Sequence, residues 1–518
     1  MSEPVPSSPP PPSPGDLPAT AQSRLGRDAL IYAVAFMLQR AASFVMLPIY
    51  TRCFTVSDYG VLQLVQTSLD VASILFSAGV TAGLHRFYFR TEDPEERRAV
   101  VAGSFWLLLG FNALGAAALY AAAPFIAERL LDGAVNARLV WLAAASFMLD
   151  ATLTVPMLLL QAQQRSLHYA AGSLARLGIQ LTLNIVLVVG FDSGIEGILW
   201  GTLATHLTLG TVMTVWMLRQ TGVRVPWHLL KDLYRFGLPY RLTAAGAFVL
   251  TYGDRFFLDE YRGKEEVGIY SLAYQFGFLL ISLGPSPFHL AWDPQRFQLS
   301  QRPPEERNPQ YAQGFFYFSL VVVTLAVGIS VFVRPLLTIM SAPEFHRAAD
   351  LVPVVMAAFL CQSFGEVMDF GIQVSGKTIY TSLSTWAAVV AIVALYALLI
   401  PWLGGLGAAL ATIGGFSVRW FGYRYWSQRL FPIDYRLGRA VALIAIGVAV
   451  VGAVVWLNPP GLWLELGVAT GATLVYAVLV GALVMRGPER QEALSFGLRI
   501  MAKLRRADLR GPPPPPPP

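Results

Sequence analysis

Charge is scarce in this sequence. Of 518 residues only 14% are charged while 55% are hydrophobic, and the mean hydropathy is +0.53. Soluble domains carry about a quarter charged residues, and a water-soluble chain of this length would divide into several cores whose surfaces need that charge. A soluble enzyme is excluded on that ground. Cysteine is scarcer still: Cys53 and Cys361 are too few for a disulfide framework, no His/Cys cluster has metal-ligand spacing, and no cofactor is called for. Neither Asp-x-Asp nor Gly-x-Ser-x-Gly occurs, so glycosyl transfer and hydrolysis have no visible machinery. The first twenty residues lack the basic start and apolar core of a cleavable signal peptide. No connection is long enough for a folded soluble domain; the longest lie near 289–311 and 219–236.

What is present is a succession of apolar runs long enough to cross a bilayer, continuous rather than alternating, which predicts helices and not barrel strands. Fourteen qualify: 29–51, 61–83, 99–124, 139–160, 168–190, 195–218, 237–258, 267–288, 312–333, 350–374, 379–400, 405–426, 438–457 and 462–485. With the N-terminus cytoplasmic, twenty-six of the 38 Lys and Arg fall on the cytoplasmic side, eight on the other, and four inside spans. That asymmetry obeys the positive-inside rule and puts both termini in the cytoplasm. The formal charge of +6 is thus spent on orientation, not on nucleic acid. Residues 225–236 and the basic stretch holding Leu494, Leu498, Met501 and Leu504 fit short helices on an anionic leaflet. The Pro-rich residues 1–24 and the closing polyproline read as extended tails.

The two halves of the chain echo each other. Asp58-Tyr59-Gly60-Val61 resembles Glu266-Val267-Gly268-Ile269, and Leu203-Ala204-Thr205 returns as Leu410-Ala411-Thr412. Arg165 with Tyr169 and Lys377 with Tyr380 occupy matching loops. The expected organisation is a six-helix half over 25–222, a second over 223–430 led by an interfacial helix, two extra helices over 431–486, and a basic amphipathic and polyproline segment over 487–518. Six being even, the halves keep one orientation, so a pseudo-twofold axis would run along the membrane normal with the substrate path between them.

Charges inside the spans then become informative. Arg40, Asp70, Asp150, Arg176, Arg241, Glu366, Asp369 and Arg419 would each cost about 2.5–3.5 kcal/mol facing lipid at a helix centre. They must face protein or water. Polar neighbours at helical spacing reinforce this: Gln63, Gln66, Asp70, Ser73 and Ser77 in span two; Ser146, Asp150, Thr154 and Gln161 in span four; Ser173, Arg176, Gln180 and Asn184 in span five; Gln362, Glu366, Asp369 and Gln373 in span ten. The expectation is a cationic cavity in which Arg40, Arg176, Arg241 and Arg419, with Gln180 and Asn184, receive an anionic, phosphate-bearing substrate, because guanidinium groups bind phosphate bidentately and stay charged. Asp70, Asp150, Glu366 and Asp369 have two readings, as ion-pair partners of the arginines or as sites that couple transport to H⁺ or Na⁺. Glu366 and Asp369, three apart on one face, are the best coupling candidates. His206 reads as a packing residue rather than a proton relay.

Gly371 to Thr378 formally matches the phosphate-loop pattern GxxxxGKT. That motif works between a strand and a helix of an α/β domain, and here it ends an apolar helix, so nucleotide binding is rejected.

Three stretches resemble the polysaccharide biosynthesis flippases of the multidrug/oligosaccharidyl-lipid/polysaccharide exporter superfamily. They are FVMLPIYTRCFTVSDYGVLQLVQ (44–66), YRFGLPYRLTAAGAFVLTYGDRFFLDEYRGKEEVGIYSLAYQFG (234–277), and LLIPWLGGLGAALAT (398–412) preceded by Gly376-Lys377-Thr378. The resemblance implies an all-α bundle of two six-helix halves forming a V. It also implies alternating-access, ion-coupled export of an undecaprenyl-diphosphate-linked oligosaccharide across the bacterial inner membrane, with cavity arginines on the diphosphate. O-antigen, exopolysaccharide or capsule would be the product, with a polymerase and glycosyltransferases of the pathway as partners, alongside membrane lipids. Val390 to Ala394 depart from the family where many members carry asparagine. Asp254 and Arg255, near the periplasmic end of span seven, are expected to form a structural ion pair or gate, with Lys377 in a family loop. A multidrug/cation antiporter and a peptidoglycan-precursor flippase of the same superfamily are the alternatives; buried arginines argue against cationic drugs.

Overall fold

A backbone in lipid must satisfy its own hydrogen bonds, which a helix does within one segment. The computed structural model describes residues 46–77, 79–130, 137–223, 227–457, 459–486 and 489–490, and all regular structure among them is helical. After a helical stretch at 46–53, the first half contains α1 (Val56–Ala72), α2 (Val80–Arg90), α3 (Pro94–Leu130), α4 (Arg138–Leu149), α5 (Ala151–Ala162), α6 (Ser166–Ile185), α7 (Gly194–Thr205) and α8 (Thr211–Thr221). The second contains α9 (Trp227–Tyr252), α10 (Asp254–Arg262), α11 (Lys264–Leu283), α12 (Pro285–Leu299), α13 (Pro304–Met340), α14 (Ala348–Met368), α15 (Phe370–Ser375), α16 (Ile379–Leu403) and α17 (Gly405–Leu430). Two more follow, α18 (Gly438–Leu457) and α19 (Leu462–Leu483).

Among the described residues eleven helices are long and apolar enough to cross a membrane, which makes this a multi-pass membrane protein. Three of the fourteen expected spans are not among the eleven. Residues 29–51 lie mostly outside the described residues, as do the Pro-rich N-terminus and the basic tail. The other two fall on α9 and α17, each of 26 residues and therefore roughly 39 Å long at 1.5 Å per residue. Both reach far enough, but Lys231, Asp232, Arg235 and Arg241 on α9, and Arg419, Arg424 and Arg429 on α17, make them too polar to stand out. The interfacial helix expected at 225–236 is not separate; it runs unbroken into α9. Span seven stops at Tyr252, and Gly253 divides it from α10, so Asp254 and Arg255 open a helix of their own.

Local chemistry explains several of these boundaries. Thr55 caps α1 in a reciprocal box: its hydroxyl accepts the Asp58 N–H at 3.1 Å while Asp58 accepts the Thr55 N–H at 3.1 Å. Pro156 inside α5 cannot donate to the carbonyl four residues back. That carbonyl, of Thr152, takes the Thr214 hydroxyl of α8 instead, at 3.0 Å.

The chain divides into a larger unit, Met1–Gln301 with Leu337–Pro432, and a smaller one, Arg302–Leu336 with Ile433–Pro518. In the larger unit α1 packs on α11 through close approach at Gly60 and Gly268. Beside it the Thr51 hydroxyl reaches the Met340 carbonyl at 3.4 Å and Arg52 the Ile339 carbonyl at 3.2 Å. First-half and second-half residues therefore touch at that end. In the smaller unit Gly447 of α18 lies against Val327 of α13, and Thr324 pairs with Tyr476 of α19 at 3.4 Å. Trp402, Trp456 and Trp463, at the ends of α16, α18 and α19, are more than 80% exposed, the placement of an aromatic belt at the lipid–water boundary.

Candidate functional site

A cavity lined by amide and hydroxyl groups lies in the larger unit and measures about 260 Å³. Its walls come from the helical stretch at 46–53, α1, α6 and α7, with Gln275 contributed by α11. Helical periodicity brings Gln63 and Gln66 of α1 and Gln180 and Asn184 of α6 to this one space. The Asn184 side-chain amide donates to the Tyr50 hydroxyl at 2.8 Å, and the Gln180 amide donates to Thr202 at 2.7 Å. Gln63 and Gln66 face each other at 3.4 Å. The Asn184 carbonyl oxygen is buried with no partner among the described residues, so one acceptor in the cavity wall is unspent.

This lining is amide and hydroxyl, not guanidinium. Arg176 sits on the exposed side of α6, within electrostatic reach of Asp150. Arg40 lies outside the described residues, and Arg241 stands on α9. Arg419 of α17 stacks 4.9 Å from the Phe416 ring and 5.9 Å from Tyr423. Its Nε and Nη2 are buried without an acceptor among the described residues, an arrangement that leaves a fixed positive charge unpaired inside the second half.

The carboxylates separate into individual environments. Asp70, on α1, is exposed. Asp150 stands at the junction of α4 and α5, accepts the Thr154 hydroxyl at 3.0 Å, and lies 3.8 Å from His206 Nε2, whose Nδ1 is 2.8 Å from the Thr202 carbonyl. His206 thus faces a carboxylate as well as packing. Glu366 accepts from Gln362 at 3.0 Å and lies 4.0 Å from His289 Nε2; His289 Nδ1 in turn is 3.2 Å from Asp293, which pairs with Arg296 at 3.0 Å. Asp369 accepts separately from Gln373 at 2.9 Å and Thr381 at 2.7 Å.

At the start of α10, Arg255 and Asp254 are fully enclosed and 3.0 Å apart. Tyr270 donates to the other carboxylate oxygen at 2.6 Å, and the guanidinium lies 5.0 Å and 4.8 Å from the Tyr252 and Tyr274 rings. Lys377 is exposed on the loop after α15. There Gly376, at φ 69°, ends a helix instead of opening one, so GxxxxGKT does not make a phosphate loop.

Tyr50, Thr202 and Gln275 are site residues that the sequence patterns above did not single out. Gln275 carried a signal, since with Ser271 and Ser282 it forms a sparse polar face on α11. The same holds for His289 and Asp293, one turn apart.

The fold and this cavity define a multi-pass membrane protein with a polar-lined internal space. Known structures place the fold: a lipid II flippase, MurJ, in an inward closed conformation aligns over 88% of this chain and all of its own, with 10% identity and a TM-score of 0.67. An inward-facing multidrug resistance MATE family transporter of the MOP superfamily aligns over 77% of this chain and 97% of its own, with 16% identity and a TM-score of 0.60. The chain belongs to the polysaccharide biosynthesis protein family, whose profile matches residues 25–295. An uncharacterized membrane protein of Methanocaldococcus jannaschii is 22% identical over 233 residues, 42% of this chain and 44% of that relative's length.

Proposed function

We propose that the protein is a flippase carrying an undecaprenyl-diphosphate-linked oligosaccharide across the bacterial inner membrane for O-antigen, exopolysaccharide or capsule assembly. The observation that carries this reading is the amide-lined cavity. Gln63, Gln66, Gln180, Asn184 and Gln275 offer donors and acceptors without net charge, the chemistry that sugar hydroxyls require. A cationic drug would call for a carboxylate, and none lines the cavity among the described residues, which argues against the antiporter alternative.

Ligand cavities run about 300–1,000 Å³, so a space of about 260 Å³ is too small for an oligosaccharide until the halves part. Contacts at Gly60, Gly268, Thr51 and Met340 support a state closed at that end, with rocking of the halves as the transport motion. The charge asymmetry supports placing both termini in the cytoplasm. Arg419, with two unpaired nitrogens, is the candidate for the diphosphate. Asp150 with His206, and Glu366 with His289, are candidates for coupling to H⁺ or Na⁺.

Deleting the gene tests this. Lipid-linked repeat units should accumulate on the inner leaflet and surface polysaccharide should fall; normal surface polysaccharide in the deletion strain would refute the reading. Loss of viability with stranded peptidoglycan precursor would instead assign the peptidoglycan-precursor alternative.

A further inference from the structure

The smaller unit contains another cavity, this one lined by charge, that the transport reading does not use. Three membrane-length helices end there: α13 and α18 begin, and α19 terminates. Between these ends lies a space of about 320 Å³. Its wall carries Arg436, Arg439 and Arg486 against the single carboxylate of Glu489, and its floor includes Phe315 and Phe316.

The arginines are unequally committed. Arg439 is held firmly, with its guanidinium carbon 3.4 Å from the Phe316 ring centroid. It donates to Glu489 Oε1 at 3.0 Å and to the Val484 carbonyl at 3.0 Å, capping the end of α19. Its Nε is buried with no acceptor among the described residues. Glu489 is oriented in turn by the Arg486 backbone N–H at 2.7 Å. Arg436 and Arg486 are exposed; Arg436 lies a loose 3.9 Å from Asp434, and Arg486 acts on Glu489 through its charge with no side-chain hydrogen bond or close ion pair among the described residues. The cavity wall therefore carries three bases and one acid, with Asp434 touching Arg436 only loosely from outside it.

We propose that this cavity binds the phosphate of an anionic glycerophospholipid. Guanidinium forks match phosphate oxygens, and a juxtamembrane cluster of bases attracts anionic lipid. The site lies where such headgroups are, at the common end of three helices of bilayer length. Pro309, exposed at the rim of the same space, with Ala312 and the enclosed phenylalanines behind it, supplies what a free anion does not need, an apolar seat for the glycerol and first acyl carbons. Arg436 and Arg486 hold the phosphate, and Glu489 keeps Arg439 in place beside it. The proposal is independent of what the larger unit transports.

The test uses the full chain in neutral detergent with three probes: phosphatidylglycerol, phosphatidylcholine and inorganic phosphate. Phosphatidylglycerol should raise the melting temperature and remain bound in native mass spectrometry, while the other two do neither. The R436Q/R486Q double variant should keep the lipid-free melting temperature and weaken phosphatidylglycerol binding by about tenfold or more, with R436K/R486K recovering part of it. Undiminished retention of phosphatidylglycerol by the R436Q/R486Q variant would overturn the proposal. An equal shift from inorganic phosphate would also overturn it, as an anion site without lipid recognition.

Discussion

Gly60 and Gly268 meet each other reciprocally across α1 and α11. A Cβ on Gly60 would strike the carbonyl oxygen of Lys264, four residues before Gly268, and a Cβ on Gly268 would strike that of Val56, four residues before Gly60. Contacts that repeat with the partners exchanged are the mark of a twofold interface. These glycines are also the landmarks by which the two halves of the sequence align. The reciprocity supports a pseudo-twofold axis passing between them.

Adding a methyl group at either position forces two backbones apart. Gly60→Ala and Gly268→Ala should each destabilise the protein by about 1–3 kcal/mol, as overpacked contacts do. Because both act at one contact, the double variant should cost less than the sum. Thermal unfolding of the four species in detergent checks this, and strict additivity would show that the two sites do not share an interface.

The Asp254–Arg255 pair is fully enclosed, so removing one partner strands the other. Arg255→Leu or Asp254→Leu alone should cost about 3–5 kcal/mol, seen as loss of the monodisperse peak in size-exclusion chromatography. Asp254→Leu with Arg255→Leu should recover part of the folded yield. Tyr270→Phe, which removes only the 2.6 Å donor to Asp254, should have a smaller effect of about 1.5–3 kcal/mol.

Asn184→Leu and Gln180→Leu keep side-chain size while removing cavity amides. Both should leave the melting temperature within a few degrees of wild type and reduce surface polysaccharide in a complemented deletion strain. Wild-type export from the Gln180→Leu/Asn184→Leu double variant would remove the cavity from the transport path.

Glu489 gives a pH signature. Burial alone favours its neutral form, but hydrogen bonds from Arg439 and the Arg486 backbone outweigh that and hold its carboxyl below the ordinary glutamate range. A folded-state pKa lower than the unfolded one adds stability above the unfolded value and loses it as pH falls through the folded one. The melting-temperature gap between wild type and Glu489→Gln should therefore be open at about pH 7 and close toward about pH 3. A gap that persists at the acid end would mean that charge is not what Glu489 contributes.

The helical spans were readable because apolar runs of bilayer length have few other uses, and Gln180 and Asn184 were readable because they sit four apart on one helix. Tyr50 and Thr202 complete the same cavity, yet Tyr50 reaches it from a helix 134 residues before Asn184, and Thr202 is one of a series of threonines at 202, 205, 208 and 211 in which nothing marks it out. The surroundings of Arg255 were equally hidden: its aromatic partners Tyr252 and Tyr274 lie on different helices, joined only by the fold. The start of α9 at Trp227 differs from the sequence pattern for another reason. The apolar run begins near residue 237, which divides it from the polar residues before it, yet the helix holds from Trp227 to Tyr252 straight through Gly237 and Pro239, residues that on their own favour a break.

Pro156 leaves the Thr152 carbonyl without its own helix's donor, and Thr214 of α8 supplies one at 3.0 Å. A proline in a span is normally a free joint. Here the joint is pinned to a neighbour, so a bend at Thr152 either carries α8 with it or strips a part-buried acceptor of the Thr214 donor. The Pro156 site thereby ties α5 to α8, so that what bends one helix is felt by the other.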